Sequence, residues 1–114
     1  MPRDYRLYLE DIVEAADRIL RYTVGIGYDS FASDDKTVDA VVRNLEIIGE
    51  AAKKLPENAK QRMPDIEWRK IAGLRNILIH EYFGINKMIV WDVVQGKIPS
   101  LKTACENLLT EGER

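Results

Sequence analysis

Leu9-Glu10-Asp11-Ile12-Val13-Glu14-Ala15-Ala16-Asp17-Arg18-Ile19-Leu20 decides the fold. Its apolar residues Leu9, Ile12, Val13, Ala16, Ile19 and Leu20 follow the i, i+3, i+4, i+7 spacing that gives a helix one buried stripe. A first helix is therefore expected from Asp4 to about Tyr22. The stretch from Gly25 to Asp35, with two glycines, two serines and three aspartates, breaks the period and supplies turn chemistry. Gly25-Ile26-Gly27 lacks the rest of a dinucleotide fingerprint and follows a helix, so it reads as helix termination. The stripe returns at Val38, Val41, Val42, Leu45, Ile48, Ala52 and Leu55, opened by Asp34 or Asp35 as a cap and stopped by Pro56. This second helix should lie antiparallel to the first.

The polar connection from Pro56 to Pro64 has room for one helical turn. A third long helix is expected from about Asp65 to His80 or Tyr82, with Gly84 and Asn86 as stop residues. Met88, Ile89, Val90, Trp91, Val93 and Val94 form a fourth, densely apolar helix ending at Gly96. Beyond Ile98 and Pro99, which suits a first turn, Leu101, Ala104, Cys105, Leu108 and Leu109 form a last amphipathic helix, and residues 111–114 should fray. No stretch reads as a strand and no repeat is present. The expected architecture is all-α, an up-and-down helical bundle of four main helices plus one shorter, in one domain spanning residues 1–114. Trp68 and Trp91 are expected in the core, and Cys105 as a small packing residue.

Composition narrows the function. A chain of 114 residues has room for one core, burying roughly two-thirds of the surface its unfolded form exposes. With 46% hydrophobic and 32% charged residues it has the make-up of a globular protein, and no apolar run approaches the ~18 residues of a membrane helix. The N-terminus enters a charged helical pattern without a signal-like apolar core, which places the chain in the cytoplasm. One cysteine and one histidine preclude an internal disulfide and the usual zinc clusters, so any structural metal would need carboxylates alone; no cofactor is expected. The net charge of −2 does not advertise a nucleic-acid binder. Locally, Lys53, Lys54, Lys60, Arg62, Arg69, Lys70 and Arg75 face only Glu57, Asp65 and Glu67, a net of +4 leading into the next stretch. Such a patch can engage a few phosphates or form a solvated helical face.

That next stretch is Arg75-Asn76-Ile77-Leu78-Ile79-His80-Glu81-Tyr82, which holds the only histidine between an arginine and a tyrosine. A proton carrier, a fixed cation and a phenol thus fall within about two helical turns. At about 100° per residue, Asn76 and His80 share a side with Gly73, while Leu74, Ile77 and Leu78 form an apolar arc with Arg75 and Tyr82 near it. Arg75 and His80 are then about 140° apart, too far to converge on one phosphate from a straight helix. Either the helix distorts near His80, or two chains contribute across a two-fold axis. Gly73, lacking a side chain near His80's face, would let a second backbone or an RNA strand approach. Arg75 beside an apolar arc needs a cleft, a ligand phosphate or a carboxylate such as Glu46 or Glu50. A purely structural role is the competing reading, with Arg75 in an ion pair, His80 at a helix end and Tyr82 in packing.

These residues resemble the RxxxxHxY motif of HEPN-domain ribonuclease toxins, and the likeness to HepT-like minimal HEPN toxins covers nearly the whole chain. It includes Arg43-Asn44-Leu45-Glu46-Ile47-Ile48-Gly49-Glu50-Ala51, Trp68 with Ile71 leading to Arg75-Asn76, Val90-Trp91, and Ile98-Pro99 followed by Leu101. The resemblance implies a HEPN-like homodimer and a metal-independent endoribonuclease acting on transfer or messenger RNA, with neither DNA nor a membrane as partner. It also implies a type VII-like toxin-antitoxin pair, in which a cognate nucleotidyltransferase antitoxin silences the toxin by AMPylation of Tyr82.

The chemistry suits the residues. RNA carries its own nucleophile in the 2′-OH, so cleavage needs a proton carrier and a cation where phosphate charge builds. His80, with an ordinary pKa near ~6.5, serves as general base or as general acid, and Arg75 holds phosphate oxygens. Asn76 and Glu50 are supporting candidates, and Lys53, Lys54, Arg62, Arg69 and Lys70 the expected RNA-binding patch. A second hypothesis is a non-catalytic helical module that pairs with a nucleotidyltransferase or binds a nucleotide.

Overall fold

The computed structural model describes residues 4–79 and 84–112, except for the side chains of residues 75, 77 and 79. Helix α1 (Tyr5–Thr23) begins where Asp4 accepts the Arg6 N–H and buries Leu9, Ile12, Ala15, Ala16 and Ile19. It ends at Val24, and Gly25, at φ 76°, takes the left-handed turn that a side chain disfavours. Helix α3 (Asp35–Lys54) starts at Asp34, whose carboxylate accepts from both the Thr37 N–H and the Thr37 hydroxyl. The two helices pack antiparallel, as expected: Lys54, at the end of α3, lies 6.0 Å over the ring of Tyr8, near the start of α1.

The linker between them departs from expectation. It contains a short helix, α2 (Tyr28–Ala32), where turns alone were expected. Phe31 explains it, being fully buried and 5.1 Å from the Trp91 ring, so apolar anchoring overrides the glycine- and serine-rich composition. Trp91 itself is half-buried, with Tyr28 edge-on at 6.3 Å. The Pro56–Pro64 connection contains the expected single turn, α4 (Glu57–Gln61).

The third long helix is a clearer correction. Residues 65–67 are not helical, and the segment that follows is split into α5 (Trp68–Ala72) and α6 (Leu74–Ile79) at Gly73. Glu67, at φ −81° and ψ 74°, delays the start, and its carboxylate pairs with Lys70 and Lys97. Gly73 closes α5 at φ −88°, ψ 4°, and its N–H reaches Arg69 O at 3.1 Å. Without a side chain to pack, it offers little to hold the next turn in line.

Helix α7 (Lys87–Gly96) is capped by Asn86, whose side chain accepts the Ile89 N–H; Asn86 therefore starts this helix, where it was expected to help stop the preceding one. Helix α8 (Ile98–Gly112) returns along α1, and the Lys102–Asp17 pair places its start beside the end of α1. Buried Cys105 is a packing residue, as expected, and burial pushes its thiol up to about 12. The described residues form an all-α bundle around one apolar core, and no described helix is long and apolar enough to cross a membrane.

Candidate active site

Helix α6 reaches its place through a contact between backbone and a missing side chain. Gly49, buried in α3, faces the end of α5: a Cβ there would lie 3.5 Å from Ile71 O, 3.8 Å from Ala72 O and 4.0 Å from Leu74 Cβ. The seam between α5 and α6 therefore sits directly on α3. Leu74 and Leu78, fully buried and one turn apart, fasten α6 to the core. Asn76, half a turn around the axis from that pair, is exposed. The backbone break falls before Arg75, so residues 74–79 form one uninterrupted helical stretch.

Of the expected catalytic pair, Arg75 lies on α6, but its side chain, along with His80 and Tyr82, is outside the described residues. The candidates around them are placed. Glu50 is exposed on α3 and 3.6 Å from Lys53. With Glu46, Arg43, Lys54, Tyr8 and Asp11 it lines a cleft of about 300 Å³ between α1 and α3. This is a cleft of mixed charge, and the carboxylates named as partners for Arg75 stand together on it.

The expected RNA-binding patch is divided by its own ion pairs. Arg62 reaches Glu111 at 2.8 Å, and Lys70 reaches Glu67 at 2.8 Å. Two hydrogen-bonding lysines, Lys70 first and Lys97 second, hold the Glu67 carboxyl down at about 2. Arg69 stands elsewhere, on a groove of about 580 Å³ shared with Lys60. Trp68, a core residue by sequence, lines the same groove. Their convergence depends on the turn between α4 and α5, which sequence periodicity does not reveal. Among the described residues, no group of three or more His, Cys, Asp or Glu is placed to hold a metal ion.

The described residues thus form an all-α bundle whose short helix α6 carries the Arg75 backbone and an exposed Asn76. Residues 12–108 match the family model "Ribonuclease HepT-like", and the chain belongs to that family of ribonucleases. It is 46% identical over 108 residues to "Probable ribonuclease HepT" of Thermococcus cleftensis, covering 95% of this chain and 98% of that protein. To "Putative RNase MJ0127" of Methanocaldococcus jannaschii it is 43% identical over 114 residues, covering 99% and 94%. To "Putative RNase TTE0752" of Caldanaerobacter subterraneus it is 39% identical over 104 residues, covering 91% and 93%. No solved structure matches the chain.

Proposed function

We propose that this protein is the toxin of a type VII-like toxin-antitoxin pair, a metal-independent endoribonuclease that acts as a homodimer in the cytoplasm. The observation that carries the reading is that the family match at 12–108 contains the entire Arg75–Tyr82 stretch, whose first residues lie on α6, held by Gly49, Leu74 and Leu78. In this reading His80 takes the proton from the ribose 2′-OH, whose oxygen attacks the adjacent phosphorus. The bond from phosphorus to the 5′-oxygen breaks, and that oxygen receives a proton from the His80 of the second chain. Arg75 neutralises the charge gathering on the non-bridging oxygens, and Asn76 orients the imidazole or holds the phosphate. The products are a 2′,3′-cyclic phosphate and a 5′-hydroxyl end.

A nucleotidyltransferase antitoxin would silence this site by attaching AMP to Tyr82. A bulky anion there would compete with RNA phosphate for Arg75, so inhibition requires no distant conformational change. The test is to incubate the purified chain with total RNA in excess chelator and map the ends. Cyclic-phosphate ends that disappear in His80→Ala and Arg75→Ala, with folding retained, support the reading. Cleavage that survives both substitutions refutes it. A non-catalytic module that grips a nucleotidyltransferase or a nucleotide is the second reading, favoured by the pairing of Lys53, Arg62 and Lys70 with carboxylates. It predicts no cleavage by the unmodified chain.

A further inference from the structure

The groove between α4 and α5 combines three properties. Its wall is apolar, with Met63 and Trp68 belonging to the core and Ile66 packed against it. Two cations on its lining, Lys60 and Arg69, have no ion-pair partner among the described residues, whereas their neighbours Arg62 and Lys70 are occupied by Glu111 and Glu67. Glu57 is the one carboxylate on the lining, which leaves the groove net positive in a chain of net charge −2. The third property is an orphan donor. Trp68 is 9% exposed, and its indole N–H is buried without an acceptor. A tryptophan serving only as packing usually finds one.

We propose that this groove is a subsite for the single-stranded flank of the RNA substrate, with an unstacked base against the apolar wall and neighbouring phosphates on Lys60 and Arg69. The inference rests on the ribonuclease reading of the Arg75–Tyr82 stretch and extends it to substrate class. Cations alone would hold a duplex equally well. An apolar wall in a groove that also carries two cations favours a strand whose base faces are free, because a duplex hides those faces in its stack. The groove is also close to the proposed chemistry along the chain. Arg69 precedes Arg75 by six residues, with the break at Gly73 between them.

The experiment uses the full chain carrying His80→Ala, so that RNA is not consumed, with folding checked by circular dichroism. Anisotropy of a labelled RNA of about ten nucleotides is measured for the single strand and for its duplex. The single strand should bind at least ten-fold more tightly than the duplex. Adding Lys60→Gln and Arg69→Gln should weaken single-strand binding at least ten-fold. It should also reduce the slope of log affinity against log salt by about 1.4, or ~0.7 for each lost phosphate contact. Undiminished affinity with an unchanged slope overturns the inference and leaves the groove to a protein partner. Equal binding of both RNA forms, or binding of neither, overturns it too. Failure of the ribonuclease reading is seen separately, as an unmodified chain that leaves the same RNA uncut, or as cleavage that persists in the His80→Ala chain.

Discussion

Gly49→Ala should stabilise this protein, and Gly49→Leu should damage both fold and activity. The alanine Cβ would meet Ile71 O at 3.5 Å and Ala72 O at 3.8 Å, ordinary van der Waals separations that require nothing to move. Replacing a glycine inside α3 removes unfolded-state freedom worth about 0.5–1 kcal/mol. Burying one methyl adds at most about 0.8 kcal/mol, reduced here because two of its neighbours are carbonyl oxygens. A net gain of about 1 kcal/mol follows. At ~2.1 cal/mol/K per residue over 114 residues, that raises Tm by about 4 °C. Leucine adds three carbons beyond that Cβ, against backbone that cannot rotate away, an overpacking cost of about 1–3 kcal/mol. The seam between α5 and α6 would shift, carrying Arg75 with it. Thermal melts followed at the helix band, with RNA cleavage measured in parallel, check both variants. A fall in Tm for Gly49→Ala, or full cleavage by Gly49→Leu, would refute the claim that this contact positions α6.

Further predictions concern single groups. Tyr82→Phe should leave RNA cleavage within about two-fold while abolishing the AMP mass gain and the silencing by antitoxin with ATP; lost cleavage would make the phenol catalytic. Because Lys70 and Lys97 hold Glu67 at about 2, well below its ordinary 4.5, its contribution to stability is present above about pH 4.5 and is lost as pH falls toward 2. Melts of Glu67→Gln should therefore lie below those of the parent at pH 6 and converge with them near pH 2. For Cys105, burial and then Glu106 raise the thiol to about 12 from 9.0, so its contribution is present below pH 9 and is lost as pH rises toward 12. At pH 8 a thiol reagent should label it only as fast as urea unfolds the chain. Lys87→Met removes the 2.8 Å hydrogen bond to Ala32 O and the Asp35 ion pair, and should lower stability by about 1 kcal/mol in a urea titration.

The amphipathic stripes of Leu9–Leu20 and Val38–Leu55, the aspartate cap at residue 34 and the proline at 56 made the central helix pair legible, because local spacing and capping set helix boundaries. The apolar runs before Gly96 and after Pro99 likewise announced α7 and α8. Two elements were not legible. A five-residue helix around Phe31 forms because Trp91, 60 residues away, offers it a surface, and no window around Phe31 contains that information. The late start at Trp68 goes with the Glu67 ion pairs, and the split at Gly73 falls where the α5–α6 seam packs closely on Gly49. The candidate site divides in the same way. Arg75, Asn76, His80 and Tyr82 stand out by residue type and spacing, whereas the grouping of Lys60, Trp68 and Arg69 depends on how a turn folds.

Sequence by itself determined an all-α chain and a stretch bearing one imidazole between an arginine and a tyrosine, since helical period and side-chain chemistry are local properties. Tertiary structure alone decided that Arg62 is spent on Glu111 and Lys97 on Glu67, and that Lys60 and Arg69 share a groove with an apolar wall. The reason is physical: a formal charge is written in the residue, but whether it is neutralised depends on a carboxylate brought within a few ångströms by the packing of other helices.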